Sequence, residues 1–275
     1  MFAWLRNIYE SWIDYPKQPG DLLSGRYCVR SLLGMGSYGL TYLCLDRHSG
    51  QEVAVKLPRP SKRAQAVQLL QREAHIMRKM EHPFIPKLLE IDQHSDGMYM
   101  VMEYVSGMTL EELIFEQERS FTEQECIVYI LELMERVLHV HERGYIHRDI
   151  RIPNVIHREG KPYLIDFGLA LAVGERQEDV FTEAMLEKRA PERQDVAFYS
   201  DLYDVGHFML FMLYSNYEPQ PDQPPGSWQE ELMLSQPVRH ILERLFQIRP
   251  RYENSRQFMQ ELEEALLLLE VNPER

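Results

Sequence analysis

Apolar and polar residues alternate with a period of two in the first third of the chain, a pattern typical of strands with one buried face. The runs are short and are bounded by glycine, proline or small polar residues. Strands are predicted at residues 27–33, 40–45, 52–56, 87–92 and 98–103. Residues 62–80 instead place apolar residues at helical spacing, and His82 with Pro83 is expected to end that helix.

Helical spacing dominates the rest of the chain. The predicted helices cover residues 109–115, 122–143, 202–213, 228–246 and 254–269. Thr122 and Glu125 form a capping box at the start of the second, and Gly144 ends it. The third is apolar on almost all sides, as in a buried central helix, and the four leucines at 266–269 are interpreted as a buried helix end. We therefore divide the chain into an N-terminal segment, residues 1–20, a β-rich lobe, residues 21–103, and a helical lobe, residues 104–275.

The N-terminal segment has its own amphipathic pattern. Residues 1–15 place large apolar side chains on one helical stripe, namely Phe2, Leu5, Ile8, Tyr9, Trp12 and Ile13. Such a helix either packs on its own domain or docks on a partner or a second copy of the chain. A membrane-surface helix fits less well, because the polar face is not basic. The proline- and glycine-containing residues 16–20 are interpreted as a linker.

Composition excludes several classes of protein. The chain has 275 residues, of which 44% are hydrophobic, so it can bury a full core. A formal net charge of −13, with no run of five basic residues, argues against nucleic acid as a partner. Three cysteines without metal-ligand spacing favour a reducing, cytoplasmic setting. No apolar run is long enough to span a bilayer, and we see no signal-peptide core.

A glycine-rich turn separates the first two predicted strands and contains Gly34, Gly36 and Gly39. A dinucleotide-binding loop opens a helix, whereas here a strand follows, and the Gly-Lys-Ser/Thr ending of a Walker loop is missing. A glycine hairpin over phosphates, followed by a strand that carries one lysine, is the arrangement of protein kinases. The alternative is an ordinary hairpin, in which Lys56 is a solvated strand residue.

Two further features fit nucleotide binding. Glu73, near the apolar side of the helix at 62–80, can reach Lys56, and an ion pair would then aim the lysine at phosphates. The alternative for Glu73 is a surface pair along its own helix. The last predicted strand runs into a loop at residues 103–107, where the backbone groups of Glu103 and Val105 can bind adenine.

Candidate catalytic residues follow the helix that ends at Gly144. Asp149 and Asn154 lie in one short stretch, and Asp166 comes after a short hydrophobic hairpin. Phosphoryl transfer needs a carboxylate that receives a proton and oxygen ligands that hold Mg²⁺, and these residue types provide both.

The order of these motifs resembles that of eukaryotic-type protein kinase catalytic domains, in particular the compact cytoplasmic kinases found in bacteria. The match covers about residues 26–270, and eight motifs stand in register. They are Gly34/Gly36/Gly39, Val53-Ala54-Val55-Lys56, Glu73, His147-Arg148-Asp149, Asn154, Asp166-Phe167-Gly168, Ala190-Pro191-Glu192 and Asp201. The resemblance implies an α+β, bilobal protein-kinase fold, with a β-rich N-lobe containing one helix and an α-helical C-lobe.

The resemblance also implies a role for each matching residue. ATP is the expected phosphoryl donor, a protein serine or threonine the expected acceptor, and Mg²⁺ the expected metal. Asp149 would be the catalytic base, Lys56 and Glu73 would position the phosphates, and Asn154 and Asp166 would hold Mg²⁺. The nucleotide would lie against Gly34, Gly36, Gly39, Thr41, Ala54, Met102, Glu103, Val105 and Ile156. Asp201 would anchor the catalytic loop, and Glu192 would pair with a late arginine, for which Arg251 is the candidate.

The sequence departs from the family pattern at two places. Arg151 stands where serine/threonine kinases carry a lysine that contacts the γ-phosphate, and some tyrosine kinases have arginine there. Met185 replaces a threonine that links the catalytic aspartate to the substrate platform. Thr182 is the only Ser, Thr or Tyr between Asp166 and Glu192, and we hypothesise that its phosphate is bound by Arg148 and orders the loop.

Three functions remain open from the sequence. The first is an ATP-dependent protein kinase. The second is a pseudokinase that acts as a scaffold with weak or no transfer, which Met185 and Arg151 keep open. The third is a kinase of small molecules on the same fold.

Overall fold

The computed structural model describes residues 13–94, 97–186, 195–219, 224 and 226–271. The chain divides into two compact units, one that ends at Val105 and one that begins at Ser106. Each unit is described by itself below. The helix predicted over residues 1–15 lies outside the described residues except for its last three.

The first unit is built on an antiparallel sheet of six strands in the order β1-β2-β3-β4-β6-β5. The strands are β1 (Leu22–Leu23), β2 (Tyr27–Met35), β3 (Gly39–Asp46), β4 (Glu52–Pro58), β5 (Leu88–His94) and β6 (Gly97–Glu103). All five strands predicted from the alternating pattern are present, and β1 adds a short sixth.

The core of this sheet comes from the residues that the two-residue period places on one face. Tyr27, Val29, Tyr42, Cys44 and Val55 are each at most 1% exposed and belong to one cluster. Strands β3 and β4 pair without a register shift from Gly39 opposite Pro58 to Leu45 opposite Glu52. The register therefore fixes which side chains of these two strands face the core and which face outwards.

One helix, α1 (Arg63–Met77), follows β4 after a 3-10 turn at Pro60–Lys62. It is three residues shorter at its C-terminal end than predicted, because Arg78, Lys79 and Met80 form turns. Its buried residues include Ala66, Leu70 and Ala74, in helical spacing. Lys62 at its N-cap makes no side-chain capping hydrogen bond.

The second unit is mainly helical. Its helices are α2 (Leu110–Phe115), α3 (Glu123–Glu142), α4 (Glu183–Leu186), α5 (Phe198–Tyr214), α6 (Trp228–Glu231), α7 (Gln236–Leu245) and α8 (Ser255–Val271). Helix α3 begins at the predicted capping box of Thr122 and Glu125, and Gly144 has a φ of +77° just after its end. The α+β class, with a β-rich first part and a helical second part, is thus confirmed.

Short strands in the second unit place the candidate catalytic residues. Strands β9 (Val155–Arg158) and β10 (Lys161–Leu164) form the hairpin expected before Asp166, and β7 (Met108–Thr109) pairs with β9. A second pair joins β8 (Tyr145–Ile146) to β11 (Leu171–Ala172). The β8–β11 pair holds the chain on both sides of residues 147–170, and the β9–β10 hairpin lies within that stretch.

Two interpretations of the helical lobe need correction. The helical spacing at 228–246 belongs to two helices, α6 and α7, because a new helix begins at Gln236 with Pro237 in its first turn, and Glu123 accepts the backbone N–H of Ser235 at 2.8 Å. The leucines at 266–269 are not a buried helix end, since Leu267 is 61% exposed and Leu268 54% exposed. Consecutive helical residues point about 100° apart, so four leucines cannot all face one neighbour.

All three cysteines are free thiols. Burial raises the pKa of the Cys44 thiol to about 12, so this group stays protonated and packs as an apolar side chain. Among the described residues, no helix is both long enough and apolar enough to cross a membrane.

Candidate active site

The glycine-rich turn joins β2 to β3, where Gly36 donates its backbone N–H to Gly39 O at 2.9 Å. A Cβ at Gly39 would lie 3.2 Å from Leu57 O and 3.3 Å from Lys56 Cε, so the neighbouring strand leaves little room for a side chain at this position. A Cβ at Gly34 would meet nothing within 4 Å. The protein's own packing therefore explains Gly39 but not Gly34, where a closely approaching ligand would explain the missing side chain.

The ion pair expected between Lys56 and Glu73 is present in the first unit. Lys56 Nζ lies 2.7 Å from Glu73 Oε1, and the side chains are only 14% and 4% exposed. Strand β4 carries the lysine and helix α1 carries the glutamate. Glu73 is thus not the surface carboxylate of the alternative interpretation, and Lys56 is not a solvated strand residue.

The other nucleotide-site candidates of this unit lie on the same strands. Thr41 is opposite Lys56 in the register of β3 and β4, and Ala54 is opposite Met102 in that of β4 and β6. Glu103 donates its backbone N–H to Lys87 O at 2.9 Å, so only its carbonyl is left for a ligand. The chain leaves the sheet after Glu103, as the strand-to-loop pattern predicted.

In the second unit, Asp201 on α5 binds the backbone of the loop that contains Asp149. This carboxylate is fully buried and accepts the backbone N–H of His147 at 2.8 Å and that of Arg148 at 2.6 Å. His141 Nε2 lies 2.8 Å from the same carboxylate, and Ser255 Oγ lies 3.0 Å from His141 Nδ1. Burial alone would raise the pKa of Asp201, but the hydrogen bond and charge of His141 hold it below its usual value.

Asp149 is held by two neighbours within this loop. Arg151 Nε lies 2.7 Å from Asp149 Oδ1, and Arg151 Nη2 donates to Oδ2 at 3.1 Å, so the guanidinium forms a fork on the carboxylate. Asn154 Nδ2 also donates to Oδ2, at 2.7 Å. Burial lowers the pKa of Arg151, but the charge and hydrogen bonds of Asp149, together with the charges of Asp166 and Asp204, raise that pKa overall.

The donor set of Asn154 and Asp166 fits a hard cation. Asn154 Nδ2 donates to the carbonyl and carboxylate oxygens of Asp149, at 3.0 and 2.7 Å, so the amide oxygen is the atom of this side chain that could bind a cation. Asp166 has a φ of +63° and accepts the N–H of Gly168 through Oδ1 at 3.1 Å. One carboxylate and one amide oxygen suit Mg²⁺, which takes its remaining ligands from phosphates and water. No group of three His, Cys, Asp or Glu side chains able to hold a metal occurs in the described part of the chain.

Buried packing fixes the residues next to these groups. Phe167 is fully buried and meets the ring of His147 edge-on, with centroids 4.8 Å apart. Burial lowers the pKa of His147, so its ring is neutral at physiological pH. Gly107, beside β9, is also tightly placed, because an added Cβ would lie 2.7 Å from Ile156 Cγ2 and 2.6 Å from His157 O.

Thr182 and Arg148 differ in accessibility. Thr182 is exposed, while Arg148 is 1% exposed and donates from Nη2 to Gln177 Oε1 at 2.5 Å. The guanidinium also lies over the ring of Phe181, 5.6 Å from its centroid. A phosphate on Thr182 would thus have to compete with Gln177 for this arginine.

The motif Ala190-Pro191-Glu192 lies outside the described residues, so the pairing of Glu192 with Arg251 is not seen. Arg251 itself lies over the ring of Tyr199, 4.0 Å from its centroid. Sequence reasoning missed His141, Ser255, Gln177 and Gly107. Only Gly107 carried a signal, as a glycine directly after a predicted strand and loop.

Comparison with known proteins gives a consistent result. A family model described as "Protein kinase domain" matches residues 27–273. The "Probable serine/threonine-protein kinase YbdM" of Bacillus subtilis (strain 168) is 33% identical over 264 residues, 95% of this chain and 98% of that protein.

Two longer relatives match over less of their own length. "CBL-interacting serine/threonine-protein kinase 13" of Arabidopsis thaliana is 31% identical over 224 residues, 78% of this chain and 44% of that protein. "Serine/threonine-protein kinase C" of Synechocystis sp. is 31% identical over 220 residues, 71% of this chain and 40% of that protein. The family match spans most of the chain and agrees with the sheet, the helices and the motif order described above. This chain therefore belongs to the protein kinase family.

Proposed function

We propose that the chain is an ATP-dependent protein kinase that transfers the γ-phosphoryl group of ATP to serine or threonine of a protein. The observation that carries this proposal is the arrangement around Asp149, a carboxylate held on one side by Arg151 and on the other by Asn154. A pseudokinase has no need of a carboxylate kept in this geometry. The names of the relatives support the choice of serine or threonine.

Binding of ATP is assigned to residues of the first unit. In the first unit, the backbone of the glycine turn would contact the phosphates, and Lys56, aimed by Glu73, would bind the α- and β-phosphates. The carbonyl of Glu103 and the N–H of Val105 would bind adenine, and apolar contacts would come from Ala54 and Met102. Thr41 would lie over the base and add a hydroxyl group.

The metal is assigned to the second unit. Asn154 would ligate Mg²⁺ through its amide oxygen and Asp166 through its carboxylate. Bound Mg²⁺ neutralises negative charge on the β- and γ-phosphate oxygens. Asp149 fixes Asn154 for this task, because it accepts both hydrogen bonds from the amide nitrogen.

Asp149 is the proposed catalytic base. The acceptor oxygen forms a bond to the γ-phosphorus, the bond from that phosphorus to ADP breaks, and the hydroxyl proton passes to Asp149. We assign the proton to Oδ1, because one donor contacts Oδ1 whereas two contact Oδ2. Arg151 orients the carboxylate and provides positive charge close to the transferring group.

The experiment uses purified full-length protein, [γ-³²P]ATP and Mg²⁺, with and without a generic protein acceptor. We expect label on protein, and we expect Asp149→Asn and Lys56→Met to abolish it. The matched controls are Asp179→Asn and Lys161→Met, which change exposed residues of the same types and should keep full activity.

Two outcomes would overturn this proposal. Nucleotide binding without any transfer would indicate a pseudokinase, and label on a small molecule alone would indicate a metabolite kinase. Phosphotyrosine as the sole labelled amino acid would contradict the serine/threonine assignment and would point to Arg151 as its cause. The three free thiols are also consistent with a cytoplasmic setting, which forms part of this proposal.

A further inference from the structure

The segment before the first strand is attached to the first unit at several points. Lys17 donates its backbone N–H to the hydroxyl of Tyr42 at 3.1 Å, and Gly20 donates to Val29 O at 2.9 Å. Tyr42 is 1% exposed and belongs to the core of the sheet. Residues 16–20 are therefore not a free linker, although they form neither helix nor strand.

Asp14 makes the strongest of these attachments. Its side chain is only 5% exposed. Asp14 Oδ1 accepts the backbone N–H of Ser61 at 2.9 Å, and Oδ2 accepts the hydroxyl of Ser61 at 2.6 Å. Arg59 Nε lies 3.7 Å from Oδ2. A buried carboxylate with two hydrogen bonds and a cation is a specific contact, because removing it leaves two part-buried donors of Ser61 unsatisfied.

The residues that Asp14 binds connect the two halves of the Lys56–Glu73 ion pair. Arg59 comes directly after β4, which carries Lys56, and Ser61 lies in the 3-10 turn that leads into α1, which carries Glu73. Arg59 also donates its backbone N–H to Tyr38 O in the glycine-rich turn, at 2.8 Å. Asp14 thus contacts the one connection that joins strand β4 to helix α1.

Helix α1 lacks a capping side chain of its own at the N-terminal end, where Lys62 makes no such hydrogen bond. The carboxylate of Asp14 supplies the negative charge and the acceptors that a helix start favours. Glu73 lies twelve residues after Ser61, or about 18 Å along a rigid helix. Fixing the start of α1 therefore restricts where Glu73 can lie.

We propose that Asp14 is a positioning residue for ATP binding, because it holds the start of α1 so that Glu73 meets Lys56. The inference rests on the proposed function, because that function gives the Lys56–Glu73 ion pair its role in ATP binding. It does not follow from the family, since the family match begins at residue 27 and Asp14 precedes it. Under this proposal, the end of the N-terminal segment contacts its own chain.

The test compares Asp14→Ala and Asp14→Asn with Asp21→Asn in the full-length protein. Asp21 is a matched control, since it is an exposed carboxylate of the same segment and, within the described part of the chain, accepts one local hydrogen bond, from Gln18 N at 2.8 Å. The first readout is hydrogen exchange of the backbone amides of residues 63–77. We expect about tenfold faster exchange in Asp14→Ala, since a lost cap or charged hydrogen bond has an effect of this size. Asp14→Asn keeps one acceptor and should fall between, and Asp21→Asn should match the wild type.

The second readout is the dissociation constant of ADP with Mg²⁺, measured by calorimetry. It should rise about fivefold in Asp14→Ala, in line with the loss of one helix cap. In a Glu73→Gln background the same change should have no further effect, because the two residues act through one ion pair.

Unchanged exchange in residues 63–77, or an equal loss of affinity in both backgrounds, would overturn the role of Asp14. Wild-type protein that binds no nucleotide would instead overturn the proposed function, while the exchange data would still test the contact itself. If Asp14→Ala does not fold, Asp14→Asn decides the matter by the same two measurements.

Discussion

Replacement of Asp201 by asparagine should destabilise the protein and disable the catalytic loop together. The buried carboxylate accepts three hydrogen bonds, from the backbone of His147 and Arg148 and from the ring of His141. The amide of asparagine has one oxygen, so its NH₂ group must face at least one of these donors. One buried donor left unsatisfied costs about 1–3 kcal/mol, and two charge-assisted bonds that become neutral cost about 1 kcal/mol each.

The expected loss for Asp201→Asn is therefore about 3–5 kcal/mol, a large part of the ~5–15 kcal/mol by which a typical domain is stable. Urea unfolding followed by fluorescence at pH 7 measures it. The phosphoryl-transfer rate of the folded fraction should also fall by about 100-fold or more, since small displacements of catalytic groups have effects of this size. Asp195→Asn, an exposed change just before the same helix, is the control and should lose less than about 0.5 kcal/mol.

The pH dependence gives a second check on Asp201. Its pKa in the folded protein lies below the value of an ordinary aspartate. As pH falls, the unfolded chain therefore takes up this proton before the folded protein does. The carboxylate stabilises the fold above a pH of about 4, and this stabilisation is lost as pH falls towards the pKa of Asp201 in the folded protein. The stability difference between wild type and Asp201→Asn should be constant from neutral pH down to about pH 5 and shrink below it. A difference under about 1 kcal/mol at pH 7, or one that grows in acid, would refute this account of the anchor.

Two further changes test other parts of the second unit. Gly107→Ala should destabilise by about 1–3 kcal/mol, because the new Cβ would lie 2.7 Å from Ile156 Cγ2 and 2.6 Å from His157 O. Urea unfolding measures the loss, and an unchanged free energy of unfolding would contradict this close packing against β9. Under the hypothesis that a phosphate on Thr182 replaces Gln177 as the partner of Arg148, Thr182→Ala should lower activity to that of phosphatase-treated enzyme. Mass spectrometry that finds no phosphate on Thr182 in active protein would refute this hypothesis.

Most of the fold could be predicted from local patterns in the sequence. The strands around Lys56 follow a two-residue period, and the start of α3 follows from Thr122 and Glu125, which are three residues apart. Such signals depend on neighbours along the chain, so one sequence suffices to detect them. The pair of Lys56 and Glu73 was also predictable, because a strand and the next helix leave few positions where opposite charges can meet.

Contacts between distant residues were not predictable in the same way. Nothing in the sequence around Asp14 distinguishes it from the exposed Asp21, and only the folded chain shows that one is buried against Ser61. The contact between His141 and Ser255 likewise joins residues 114 positions apart. The leucines at 266–269 were misjudged for the opposite reason, since hydrophobicity alone does not say which side of a helix has a neighbour.

The left-handed backbone at Arg148 and Asp166, with φ values of +67° and +63°, has a consequence for engineering. Glycine would adopt either conformation without strain, yet neither position has it. A library screened only for heat resistance would accept glycine at the exposed Asp166 but reject it at Arg148, whose buried side chain contacts Gln177 and Phe181. A library screened for turnover would reject glycine at Asp166. The two screens would thus separate the residues that this chain keeps for its chemistry from those that it keeps for its fold.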